Sequence, residues 1–100
     1  DALVAVASFA PEETPYRPGR RAVRLRGMVT EPACQGQGIG RRLLEEAVVR
    51  LRGDGVEVLW GNGRDSALGF YRRIGYEVVG PGFLAGPAGD MPHHVVLLDL

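Results

Sequence analysis

Gln35-Gly36-Gln37-Gly38-Ile39-Gly40 is the stretch on which the reading of this 100-residue chain turns. Before it, Ala22–Thr30 opens with an alternation of apolar and charged residues (Val23, Arg24, Leu25, Arg26), the period-2 pattern of a half-buried strand. Pro32 closes that strand. After the glycines, Ile39, Leu43, Leu44, Ala47, Val48 and Leu51 recur at helical spacing and form one apolar stripe. Arg42–Glu46 and Glu46–Arg50 supply opposite charges four apart on the polar side, and Gly53 and Gly55 bracket the stop. Strand, glycine loop, helix is the arrangement in which backbone N–H groups approach a ligand without Cβ obstruction. The helix start adds unpaired donors and a positive dipole end. The segment therefore reads as an anion cradle, most naturally for a phosphate.

Outward from the loop the chain continues as strands and helices in alternation. Leu3–Phe9 is an apolar strand, and Pro11–Arg21, with three prolines, is a loop. The two flanking strands read as an antiparallel pair. Beyond the helix, Val56–Trp60 reads as a short strand and Gly61-Asn62-Gly63-Arg64 as a break. A second helix carries Ala67, Phe70, Tyr71 and Ile74, with Asp65 or Ser66 as its cap and Gly75 at its end. Tyr76–Val79 is a strand, Gly80–Pro92 a loop and Val95–Leu100 the last strand. The class is α/β (α+β), order β-β-α-β-α-β-β, with a right-handed parallel crossover around the first helix.

Composition narrows the chemistry. Twelve basic residues balance twelve acidic ones, which gives no electrostatic reason to expect nucleic acid or an anionic membrane as partner. Every basic residue is Arg, so a P-loop lysine and a Schiff-base lysine are excluded within these residues. The single Cys34 excludes an internal disulfide and a multi-cysteine zinc site, and no metal is expected. No apolar run approaches the ~20 residues of a membrane helix, and no signal-peptide pattern is visible, so the expected location is cytoplasmic.

Spacing separates the phosphate loops. A dinucleotide loop counted from Gly36 needs a glycine where Arg41 stands, and a Walker A loop needs a lysine. Gln35, Gly38 and Gly40 instead spell Q-x-x-G-x-G. With the strand ending Met28-Val29-Thr30-Glu31-Pro32, the strand ending Leu59-Trp60-Gly61-Asn62, and Ala67-x-x-Phe70-Tyr71-x-x-x-Gly75-Tyr76, the stretch from Leu25 to Gly80 resembles the GNAT superfamily of N-acetyltransferases.

The resemblance implies acetyl-CoA (CoA) as co-substrate. It implies Met28, Val29 and Thr30 along the acetyl-pantetheine arm, with the Met28 N–H near the thioester carbonyl. Gln35, Gly36, Gln37, Gly38, Gly40 and Arg41 would surround the pyrophosphate, and Asn62 would meet the pantetheine arm. Tyr71 would protonate the departing thiolate. The reaction implied is direct attack by the amine of a small molecule or peptide, with no acyl-enzyme. A non-catalytic acyl-CoA-binding or sensing module is the alternative. The family's first strand, two helices and next strand have no counterpart before Leu3, so the expectation for residues 1–100 is one GNAT domain, N-terminally truncated or minimal. A homodimer would then cover the edge at Leu3–Phe9.

Bland readings stay open beside these roles. Tyr71 shares an apolar stripe and equally suits the core; Asn62 between glycines equally suits a turn. Arg41 and Arg42 oppose the helix dipole, which a bound anion would offset. Cys34 with His93 or His94 is a weak nucleophile constellation, because a thioester needs no enzyme thiol. The histidines read as the entry to the last strand, with the acceptor site as the other option. The general base is unassigned: Arg24 stands where some members carry a glutamate, and Glu31 and a water chain are the alternatives.

Overall fold

The structure, a computed structural model, describes residues 5–30 and 38–100. It contains β1 (Ala5–Pro11), β2 (Ala22–Thr30), α1 (Ile39–Gly53), β3 (Val58–Arg64), a 3-10 turn (Asp65–Ala67), α2 (Leu68–Arg73), β4 (Glu77–Ala85) and β5 (Met91–Asp99). The five strands form one mixed sheet in the order β1-β2-β3-β5-β4. β1 and β2 are antiparallel, β2 and β3 parallel around α1, and β5 is antiparallel to both β3 and β4. The mixed α/β class and the element order follow the sequence pattern.

Both helices pack on one face of the sheet. Leu44 of α1 and Leu68 and Tyr71 of α2 join Val23, Leu25, Leu59 and Val96 in the main core. The opposite face carries a smaller cluster, Ala22, Val58, Trp60 and Leu97. The segment after β1 covers it. Trp60 Nε1 donates to the Glu12 carbonyl at 2.8 Å, and the Arg24 guanidinium lies 5.3 Å from the Trp60 ring while pairing with Glu12 at 3.3 Å. Farther along that segment, Arg17 clasps Asp99 at the end of β5 through two hydrogen bonds of 2.9 and 3.0 Å.

Three elements differ from the sequence expectation. Gly61–Arg64 is not a break: β3 runs through to Arg64, because β5 pairs with it residue for residue as far as Arg64↔His93. The Gly80–Pro92 segment is mostly strand, with a turn only between Ala85 and Met91. β4 absorbs its Gly and Pro in an irregularity between Val79 and Phe83, where Gly80 adopts φ +73° with the Tyr16 hydroxyl packed against it. Such a bulge releases a strand from regular pairing without ending it. Finally, neither Asp65 nor Ser66 caps α2. The 3-10 turn beginning at Asp65 leads into the helix, and no side-chain cap bond forms. The expected end at Gly75 holds, with φ +96° there. The beginning of the Leu3–Phe9 strand lies outside the described residues.

Candidate active site

β2 and β3 start together and then part. Their parallel register holds from Ala22↔Val58 to Leu25↔Gly61 and stops there, although β2 continues to Thr30 and β3 to Arg64. A cause lies on the other edge of β2. The β1–β2 register slips between Ser8↔Gly27 and Phe9↔Leu25, so Arg26 is an extra residue in β2. A bulge bends its strand and increases its twist, and this one falls at the residue after the last β2–β3 pair. From there β2 follows β1, with Ala7↔Met28 and Ala5↔Thr30, while β3 follows β5. A central parallel pair opened in this way exposes main-chain groups on two facing edges, which a ligand with alternating donors and acceptors can bridge.

The opening is a cavity of about 460 Å³ lined by residues of β2, β3, α2 and β5, among them Leu25, Arg26, Asn62, Arg64, Phe70, Tyr71 and His93. Strand alternation divides this lining between the two faces of the sheet. Gly61 and Gly63 look toward the helices; Asn62 and Arg64 look away from them, as does His93, which is paired with Arg64.

Tyr71 closes the helix side. Its ring is buried, edge-on to Phe70 (centroids 5.3 Å apart) and to Tyr76 (5.4 Å). It sits over Gly63, where an added Cβ would stand 3.1 and 3.3 Å from the ring edge and 3.3 Å from a Val96 methyl. The glycine that reads as a turn in the sequence is there to admit this ring. Burial pushes the Tyr71 hydroxyl above its ordinary range, so it is a proton donor at neutral pH. Beside it, burial also raises Tyr76, whose buried hydroxyl has no partner among the described residues.

His93 closes the other side. Its Nδ1 lies 2.7 Å from the Met91 carbonyl, its ring stacks on Phe83 at 5.8 Å, and it is only 7% exposed. The neighbouring His94 points to the opposite face, with Nδ1 2.7 Å from Asp65 Oδ1.

α1 begins after the open end of β2. Gly38, in the left-handed region at φ +74°, is its N-cap, and no side-chain cap is present among the described residues. The first ladder bond runs from the Arg42 N–H to the Gly38 carbonyl, so the amides of Ile39, Gly40 and Arg41 have no partner within the helix. No acidic residue occupies the first turn. The end is electropositive, as an anion site requires.

The acetyltransferase (GNAT) domain model matches residues 1–78. The chain belongs to the GNAT family. This GNAT chain is similar to an uncharacterized N-acetyltransferase, YitI, of Bacillus subtilis, at 33% identity over 95% of this chain and 62% of that protein. The chain therefore spans less than two thirds of that relative. Over 50% of this chain and 32% of the other, it is 46% identical to the N-alpha-acetyltransferase RimI of Mycobacterium tuberculosis. In fold it is similar to a GNAT family acetyltransferase from Elizabethkingia anophelis with acetyl-CoA bound, with a TM-score of 0.77 at 13% identity, covering 99% of this chain and 70% of that one.

Of the residues singled out in the GNAT chain, Asn62 and Tyr71 come together on the cavity. Met28, Val29 and Thr30 lie on the diverging part of β2. Gly38, Gly40 and Arg41 form the start of α1. Arg41 is turned along the helix toward Glu45 at 3.6 Å. Gln35, Gly36 and Gln37, with Glu31 and Cys34, lie outside the described residues. His93 and His94 sit within β5 rather than at its entry. Arg26, Arg64 and Phe70 line the cavity without having been read as site residues. The bulge that exposes Arg26 depends on a register slip, which residue alternation alone does not reveal. Among the described residues, no cluster of three or more His, Cys, Asp or Glu is placed to hold a metal.

Proposed function

We propose that this chain carries the acetyl-CoA site and the catalytic groups of an N-acetyltransferase, transferring an acetyl group from acetyl-CoA to the amine of a small molecule or peptide. The observation that carries the reading is the parting of β2 and β3 after Leu25–Gly61, with Tyr71 on the helix side of the gap. Two features fit the co-substrate: main-chain edges for an amide-bearing arm, and a helix start with no acidic residue in its first turn for a pyrophosphate.

In this reading acetyl-CoA supplies an activated acyl group. The main chain of Met28, Val29 and Thr30 binds the amide-bearing arm and orients it, and the Met28 N–H meets the negative charge that develops on the carbonyl oxygen. Gly38, Gly40 and Arg41, with Gln35, Gly36 and Gln37, receive the pyrophosphate. Asn62 steadies the arm from the β3 side through its main chain. Tyr71, held protonated by burial, gives its proton to the leaving sulfur. The acceptor amine attacks directly, and no enzyme nucleophile is used.

Calorimetry with acetyl-CoA, followed by thiol-release assays across a panel of amines and free N-terminal peptides, tests this. Binding with acceptor-dependent CoA release supports it. Binding without release by any amine points to an acyl-CoA-binding module, and absence of binding refutes both.

A further inference from the structure

We propose that His93 accepts the proton of the attacking amine, from the face of the sheet opposite Tyr71; this rests on the acetyltransferase reading above. The gap between β2 and β3 has two mouths. Tyr71 and both helices stand at one, so a phosphate-bearing co-substrate anchored at the α1 start belongs there. The amine then approaches from the other mouth, where Asn62, Arg64 and His93 share a face.

Among the described residues, the chemistry of that lining leaves one proton acceptor. Arginine has no lone pair to offer, and an amide is not basic. No carboxylate lines the cavity among the described residues. Tyr71 is held in its protonated form. His93 remains, and its ring is held by defined contacts. In the neutral ring a proton on Nδ1 satisfies the Met91 carbonyl at 2.7 Å, which leaves the Nε2 lone pair bare. Stacking on Phe83 and burial to 7% exposure hold the ring in place. Its ionisable neighbours around the cavity are Arg64 on β3, Arg26 on β2 and Tyr71 on α2, while β4 presents the uncharged Phe83.

The step balances. The amine nitrogen forms a C–N bond to the acyl carbon, and the C–S bond breaks. Tyr71 protonates the sulfur, and His93 Nε2 takes the proton shed by nitrogen. Exchange with solvent then returns His93 and Tyr71 to their starting forms.

The test uses the whole chain, acetyl-CoA, and two acceptor probes, an alanyl tripeptide and butylamine. His93→Gln is expected to lower kcat/KM by at least ~10²-fold, mainly through kcat. It should leave acetyl-CoA affinity unchanged. Imidazole should partly rescue His93→Ala. A His93→Gln variant with the wild-type rate overturns the proposal. Long-range ¹⁵N NMR of the histidine rings decides it without turnover: a proton on Nδ1 and a bare Nε2 support it, and a proton on Nε2 overturns it. The acetyltransferase reading itself fails separately, if calorimetry detects no acetyl-CoA binding.

Discussion

Gly63→Ala is the sharpest test of how this site is assembled. The new methyl would stand 3.1 and 3.3 Å from the edge of the Tyr71 ring and 3.3 Å from a Val96 methyl. Ordinary carbon contacts are 3.5–4.0 Å, so the neighbours must yield by several tenths of an ångström. Neither has room: Val96 is 1% exposed, and Tyr71 is wedged between Phe70 and Tyr76. Overpacking of a tight core typically costs about 1–3 kcal/mol. At about 4–8 °C per kcal/mol for a domain of this size, the melting temperature should fall by ~4 °C or more. Urea denaturation should show a lower midpoint with an unchanged slope. The same substitution in a Tyr71→Leu background should cost markedly less, because the smaller side chain relieves the clash. Wild-type stability for Gly63→Ala, or the same cost in both backgrounds, would refute the claim that Gly63 exists to seat Tyr71.

Other expectations follow from the same geometry. Tyr71→Phe keeps the ring packing and removes the proton; CoA release should fall by ~10²–10⁴-fold with little change in acetyl-CoA affinity, and an unaltered rate would eliminate the acid role. Gly38→Ala forces an L-residue into φ +74°, a strain of about 1–2 kcal/mol, and should weaken acetyl-CoA binding in calorimetry along with the start of α1. Asp99 is held below the usual carboxylate range by its hydrogen bonds from Arg17, with Coulombic attraction adding to them. A depressed folded pKa stabilises above the unfolded value, about 3.9, and that contribution is lost as the pH falls through the folded value. Asp99→Asn should therefore flatten the acid side of the stability–pH curve, and superimposable curves for variant and wild type would contradict the assignment.

Much of the fold was legible because it rests on periodicity. The stripe from Ile39 to Leu51 can only be one helix face, and Val23-Arg24-Leu25-Arg26 only a strand with one face buried. The glycine-rich stretches were misread for a physical reason. Gly61 and Gly63 resemble turn residues in the sequence, yet they serve close packing: at Gly61 a Cβ would stand 3.0 Å from the Leu25 carbonyl oxygen, and at Gly63 it would meet Tyr71. Gly80 likewise marks a bulge in a strand rather than the start of a loop. Tyr71 could be both a core aromatic and a cavity residue, and the structure makes it both. The far side of the site was least legible. His93 gains its place from pairing with Arg64, a relation across 29 residues that no local pattern encodes.

The central claim is that the gap between β2 and β3 receives acetyl-CoA. Titrating ¹⁵N-labelled protein with acetyl-CoA and following backbone amide shifts tests it most directly. The account predicts that the largest changes fall on Arg26–Thr30 of β2, Asn62–Arg64 of β3 and the first turn of α1, with little change at Ala22–Val23, where the strands are still paired. Changes confined to the groove between β1 and α1, around Phe9, Leu43 and Ala47, or no changes at all, would contradict it.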